Sequence, residues 1–293
     1  MSAPANTTST IPAEMAAGRR NTPEFAAPTL YLTLALYTAF IAATAAALAG
    51  ALPYFVAAIV NTIVLYAIYT PVHEAVHGNI SLKRKHLRWI DTAIGFLACF
   101  PLWLFFYQHK KQHLVHHTHA NQDSDPDIYA RGSFLGWVFI RAPLALLSYF
   151  NPVDLYRDCR RFDVPGRQTV VTMLTFALQT VLFLAVIYAG YGVELLVLWF
   201  LPWLVGNIVM LTLFTWTPHH DHKETSRYRN TRESLFPMAN FLLLGQNHHL
   251  IHHLMPGIPF YRYQATFSEI RPLLEQNGAR IEGFWPDLEG RAS

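Results

Sequence analysis

Apolar residues along this chain gather in four long runs, arranged as two pairs. Thr29 to Gly50 is an uninterrupted run of 22 residues, and after Gly50-Ala51-Leu52-Pro53 a second continues to Thr70. At 1.5 Å per residue, helices of this size cover about 30 Å, the thickness of a hydrocarbon core. The other pair occupies about Thr169 to Ala189 and Val193 to Trp216, joined by the tight Gly190-Tyr191-Gly192 turn. The pattern predicts two transmembrane hairpins, over 29–70 and 169–216.

Two further apolar pieces, Asp91 to Tyr107 and Phe134 to Phe150, are expected to lie in one membrane face or re-enter from it. As crossings they would export Lys110 and Lys111, and Arg141 sits in the middle of the later piece. Basic residues orient the whole. The two hairpin connections contain no Lys or Arg, and all 22 fall before, between or after the hairpins. The positive-inside rule then assigns both termini, residues 71–168 and residues 217–293 to the cytoplasmic side of a cell's inner membrane.

Composition narrows the class. With 52% hydrophobic and 14% charged residues, and a mean hydropathy of +0.20, the chain departs from ordinary soluble domains. Cys99 and Cys159 give no disulfide framework. A net charge of +3 with no recognition motif argues against nucleic acid as a partner. Residues 1–28, rich in Ala, Thr, Ser and Pro, read as a disordered tail, and the first apolar run starts too late for a cleaved signal peptide. The expected fold is therefore an all-α integral membrane protein. It has four transmembrane helices as two hairpins, interfacial helices and a cytoplasmic cap, with residues 29–293 as a single domain.

Candidate chemistry lies in the histidines, 15 in all. The box H-x-x-H-H occurs twice, as His113, His116 and His117 and again as His249, His252 and His253. On a helix, positions three and four apart share a face, so each box can aim three imidazoles at one point. His73-Glu74-Ala75-Val76-His77 adds an i,i+4 pair, and His219, His220 and His222 follow the fourth run directly. The four runs hold no histidine, which argues against haem or ion transport within the spans. His86 reads as a solvated residue, and His248 as a bystander to the last box. Taking one ligand from the 219–222 group gives nine imidazoles, enough for two metals with open positions. Imidazole suits iron, zinc, copper and nickel alike. Read alone, His73-Glu74-x-x-His77 is also the zinc metalloprotease signature, with Glu74 as general base, but that reading leaves both other boxes without a purpose.

The set His73-Glu74-Ala75-Val76-His77-Gly78, His113-x-x-His116-His117 and His249-x-x-His252-His253, with Gly245 four residues ahead, resembles the membrane fatty-acid desaturase superfamily, which includes carotenoid hydroxylases and ketolases. The resemblance covers residues 29 to about 265. It implies a di-iron centre under a four-helix membrane base, O2 attacking an unactivated C–H bond, and electrons from a ferredoxin- or cytochrome-like partner. By its position in Thr217-Pro218-His219, His219 takes the place of the family's extra ligand. The stretches Thr215 to His220, Arg227 to Arg232 and His249 to Tyr263 are similar to desaturase-like β-carotene hydroxylases. They imply a monooxygenase acting on a carotenoid β-ring, with fatty-acyl lipid desaturation as the alternative.

Each ligating imidazole needs a partner on its outer nitrogen. Glu74, Asp123, Asp125, Asp127 and Asp221 lie near enough in sequence to serve. Trp103, Phe105, Phe106, Tyr107 and Trp137 are candidates to line a path for a long apolar substrate arriving from the bilayer.

Overall fold

The computed structural model describes residues 11–286. Its principal helices are α1 (Ile11–Asn21), α2 (Ala27–Leu48), α3 (Tyr54–His77), α4 (Arg88–Cys99), α5 (Phe106–His119), α6 (Phe134–Ser148), α7 (Pro152–Arg161), α8 (Gly166–Tyr188), α9 (Gly192–His219), α10 (Ala239–Leu242), α11 (His249–Leu254) and α12 (Tyr263–Gln276). Two three-residue strands, β1 (Arg232–Ser234) and β2 (Arg280–Glu282), pair in parallel and are the one departure from an all-helical plan among the described residues.

Among the described residues, helices α2, α3, α8 and α9 are the four long and apolar enough to cross a membrane. Half of the apolar stretch of α3 and of α9 is buried, against 22% for α2 and 17% for α8, so α3 and α9 form the centre and the other two flank it. The flanking helices turn Leu34, Ile41, Leu174, Leu178 and Leu184 outward, as helices facing lipid do. Inside, the contacts are close and polar. A Cβ on Gly206 of α9 would lie 3.0 Å from the Thr62 carbonyl oxygen of α3. Asn61 donates to the Leu198 carbonyl at 2.7 Å and to Thr44 Oγ1 at 3.0 Å, joining α2, α3 and α9.

The two shorter apolar pieces are each sharply bent. Residues 85–119 break by 96° before α5, and residues 134–161 by 87° between α6 and α7. The first bend reaches deep into the bundle. Gln179 donates to the Phe100 carbonyl at 2.7 Å, Trp199 to that of Pro101 at 2.9 Å and Trp203 to that of Leu102 at 2.7 Å. Counting about 1.5 Å per residue along α9, Trp199 and Trp203 lie some 10–16 Å from its far end, near the middle of a hydrocarbon core. A broken helix there needs partners for its free carbonyls, because lipid supplies none, and these three side chains provide them. Phe150, at the second bend, packs on Trp103 and Trp203 at ring-centroid distances of 4.8 and 5.1 Å. After its bend the first piece brings α5 back to the end of α3, where His113 meets His77.

The chain's start corrects the expectation of a disordered tail. Residues 11–21 form α1, which lies on α12; residues 1–10 fall outside the described residues. Polar anchors hold α1 more than its short apolar face does, so apolar periodicity could not reveal it. Glu14, 1% exposed, accepts from Arg227 Nη2 at 2.6 Å and from the Tyr228 hydroxyl, and Asn21 donates to Glu269 at 2.9 Å. Ala17 enters a second core with Leu250, Ile251, Leu254 and Tyr263, which also steadies the last histidine box. Glu14→Ala is expected to weaken this docking by about 1 kcal/mol or more, since a partnered buried acceptor is lost. A severalfold rise in tryptic cleavage after Arg19 or Arg20 would show it; unchanged cleavage would mean that α1 docks without Glu14.

Candidate metal centre

Four elements deliver histidines to one place. α3 continues past the apolar run to end at His77, so His73 and His77 ride on a spanning helix, which Gly78 stops in the left-handed conformation. α5 carries the second box, α9 ends on His219, and the short α11 carries the third.

Their imidazoles form two groups. His73, His77, His113, His117 and His252 make one; His116, His219, His249 and His253 make the other, with ligand atoms within 4.8 Å of one another in each. All nine expected residues are thus brought together, but neither H-x-x-H-H box aims at a single point. Residues four apart are offset by about 40° around a helix and residues three apart by about 60° the other way. His113 and His117 therefore share a direction and His116 departs from it. The third box repeats this in mirror fashion: His249 and His253 enter the group of four, and His252 crosses to the group of five.

Nε2 atoms face one another at separations suited to a shared ion. His73 to His252 is 2.9 Å, His77 to His113 3.0 Å, His113 to His117 3.1 Å, His117 to His252 2.8 Å and His219 to His249 3.2 Å. Ligands about 2.1 Å from one metal stand roughly 3.0–3.4 Å apart at octahedral to tetrahedral angles. Each Nε2 carries either one proton or one lone pair, and those of His113, His117 and His252 each face two others, so these contacts cannot all be hydrogen bonds. Burial, followed by the neighbouring imidazoles, pulls the pKa of His113, His117, His252 and His253 well below the usual histidine value, and His249 falls to about 3. The shift favours the neutral ring, the form that binds metals.

The outer nitrogens of His116, His219, His249 and His252 have partners, although not all the expected ones. His116 Nδ1 lies 2.8 Å from Asp125 Oδ1, and Asp125 also accepts from the amides of Asn121 and Asp127 at 2.7 and 2.9 Å. Burial works against a charged His116, but Asp127 and Asp125 outweigh it and raise its pKa. Asp127 itself stops 3.7 Å from His116 Nδ1. Tyr263 Oη stands 3.0 Å from His252 Nδ1, Gln246 Oε1 3.3 Å from His249 Nδ1, and the Asn230 carbonyl 3.2 Å from His219 Nδ1. None of these three was expected. Gln246, three residues before His249, was visible in the spacing; the other two are contacts between distant segments.

Asp123 and Asp221 are corrections. Asp123 is 97% exposed and nearest Arg131, while Asp221 faces Lys223 at 3.2 Å, both drawn to basic neighbours in solvent. Glu74, 0% exposed, accepts from the Phe260 amide at 3.2 Å and stands 3.9 Å from His73 Nδ1, too far for a hydrogen bond. This geometry also sets aside the metalloprotease alternative. His73 and His77 share their group with three further imidazoles, and Glu74 is tied to a backbone amide instead of facing an open coordination position.

Among the expected lining residues, Trp103, Phe105, Phe106 and Trp137 all belong to the packed core. Phe106 lies against Gly95, where a Cβ would sit 2.2 Å from its ring, and Trp137 donates to Thr212 at 3.0 Å. Trp103 and Phe105 border a cavity of about 30 Å³, room for one water, and Tyr107 is partly exposed.

His116 tests the outer partners most directly. Asp125→Ala is expected to lower metal affinity at its group 10–100-fold. Titration of metal-stripped protein measures this, and an unchanged affinity would mean that Asp125 only closes its own turn.

Comparison with known proteins places the chain among relatives of known chemistry. A family model described as fatty acid desaturase matches residues 46–285. A β-carotene ketolase of Paracoccus sp. (strain PC1) is 27% identical, over 68% of this chain and 73% of its own. A dihydrorhizobitoxine desaturase of Bradyrhizobium elkanii is 27% identical, over 75% of this chain and 67% of its own. A fatty acid conjugase of Calendula officinalis is 23% identical, over 70% of this chain and 64% of its own.

Proposed function

The chain belongs to the fatty acid desaturase family, a multi-pass membrane oxidoreductase, and on that premise we propose that it uses O2 to hydroxylate the β-ring of a carotenoid. The paired imidazole groups carry the proposal, each able to hold one iron, with nine nitrogen donors and no carboxylate among them. Bound there, two irons would supply reduction of O2 and attack on a C–H bond. The carotenoid reading is supported by likeness to β-carotene ketolases at 27% and 28% identity.

The chain's own residues do the rest. Asp125, Tyr263, Gln246 and the Asn230 carbonyl hold rings in the orientation that points Nε2 inward. Burial of His73, His113, His116, His219, His249 and His252 to 8% exposure or less keeps bulk water from the donor atoms. The active site and termini face the cytoplasm from an inner membrane, where a ferredoxin- or cytochrome-like carrier reaches the histidine cap.

Expression in cells engineered to make β-carotene tests this, with pigment chromatography and fatty-acid profiling in parallel. Hydroxylated or further oxidised carotenoids are expected. A second reading, desaturation of acyl lipids, draws on the conjugase and on chloroplastic omega-3 desaturases at 20–22% identity. New acyl double bonds with unchanged pigment would establish that reading instead.

A further inference from the structure

We propose that Glu233 and His248 form a buried positioning pair that sets the direction of the third histidine box, and so holds the metal group of four together. The proposal rests on the metal-binding reading above.

His248 stands beside the ligand set without joining it. It precedes α11 with φ −96 and ψ 49, outside the helical conformation, and its ring is in neither group. It lies against Phe267 with ring centroids 4.9 Å apart. Both it and Glu233 are 0% exposed. Glu233 Oε2 is 2.6 Å from His248 Nδ1, and His248 Nε2 meets the Gln264 side-chain amide at 3.1 Å. The other carboxylate oxygen, Oε1, accepts from the Ile251 amide at 2.9 Å. One carboxylate thus grips the box twice, through a side chain ahead of α11 and through a backbone amide in its first turn.

Such a grip is needed because α11 has six residues, too few to hold a helical shape alone. Burying a carboxylate also carries a desolvation cost that an apolar pair would avoid, and fixing a register is the best-attested return for it. The register is reinforced in the backbone: Glu233 bridges His248 antiparallel, and Ser234 donates to the Asn247 carbonyl at 2.7 Å. β1, which carries Glu233, is in turn paired with β2.

The box contributes unequally to the two groups. His249 and His253 are half of the group of four, whereas His252 is one of five and has Tyr263 behind it. Loosening α11 must therefore act on one group more than the other, which a general loss of stability would not do.

The test is titration of full-length, metal-stripped protein in detergent with Co(II), followed by its visible absorption, alongside thermal unfolding. Glu233→Ala is expected to lose 10–100-fold in affinity at one of two sites, with the other within about threefold. Glu233→Gln, which keeps an acceptor for Ile251 and can reach Nδ1, is expected to restore most of that loss. Should Glu233→Ala fail to fold, His248→Asn, which keeps a donor near the Nδ1 position, should retain both sites, and His248→Leu should weaken one. Equal loss at both sites tracking the unfolding temperature, or unchanged affinity at both, would overturn the proposal. Wild-type protein that binds no cobalt or iron would instead sink the metal reading itself.

Discussion

His116→Ala and the double substitution His113→Ala/His117→Ala are expected to empty different metal positions, although all three residues belong to one box. Each change leaves three imidazoles in the group it touches and spares the other. Purified protein should fall from about two irons per chain to about one in either variant, and to none when the changes are combined, because independent sites add. Activity should drop in each by more than the roughly 10–100-fold typical of losing an outer partner, since a donor atom itself is removed. If one box served one metal, adding His116→Ala to the double variant would cost no further iron. That outcome would refute the crossed arrangement, in which α5 and α11 each lend their i+3 histidine to the other's group.

Gly245→Ala is expected to destabilise the protein by about 2–5 kcal/mol. Gly245 sits at φ +80, a left-handed conformation that costs a residue with a Cβ about 1–2 kcal/mol. The new Cβ would also stand 2.5 Å from the Phe260 carbonyl oxygen and 3.2 Å from its carbon, an overpacking of backbone costing about 1–3 kcal/mol. Phe260 cannot retreat freely, because its own N–H, on the preceding peptide, is held by Glu74. Thermal unfolding in detergent measures the loss. Gly257→Ala is the control, since nothing lies within 4 Å of its Cβ position and its change should stay within about 0.5 kcal/mol. Equal melting of the two variants would mean that the loops before and after the third box do not pack as described.

How much of the site was readable from residues depends on distance along the chain. Spacing named eight of the nine imidazoles that the structure groups and left the ninth among His219, His220 and His222, where only the resemblance pointed to His219; the helical angle that separates His116 from His117 was implicit in the same spacing. What the spacing could not show was which box would face which, since that follows from how α11 docks against α3 and α5. Asp125 was legible because it closes a turn nine residues after His116; Tyr263 and the Asn230 carbonyl were not, because their partners arrive from other segments. Asp123 and Asp221 misled for the converse reason: closeness in sequence does not prevent a carboxylate from turning to Arg131 or Lys223 in water.

By itself the sequence determined the membrane class, the four long apolar helices and the histidine boxes that could hold metal. Each of these follows from local quantities: the length of an apolar run against the thickness of a bilayer, the placement of charge, and residue spacing on a helix. Tertiary structure alone decided that both boxes are shared between two groups, that Gln179, Trp199 and Trp203 satisfy a helix broken deep in the bundle, and that residues 11–21 fold onto the cap through Glu14. Those outcomes depend on polar atoms finding partners tens to hundreds of residues away, and burial makes such partnerships obligatory without revealing in the sequence which ones will form.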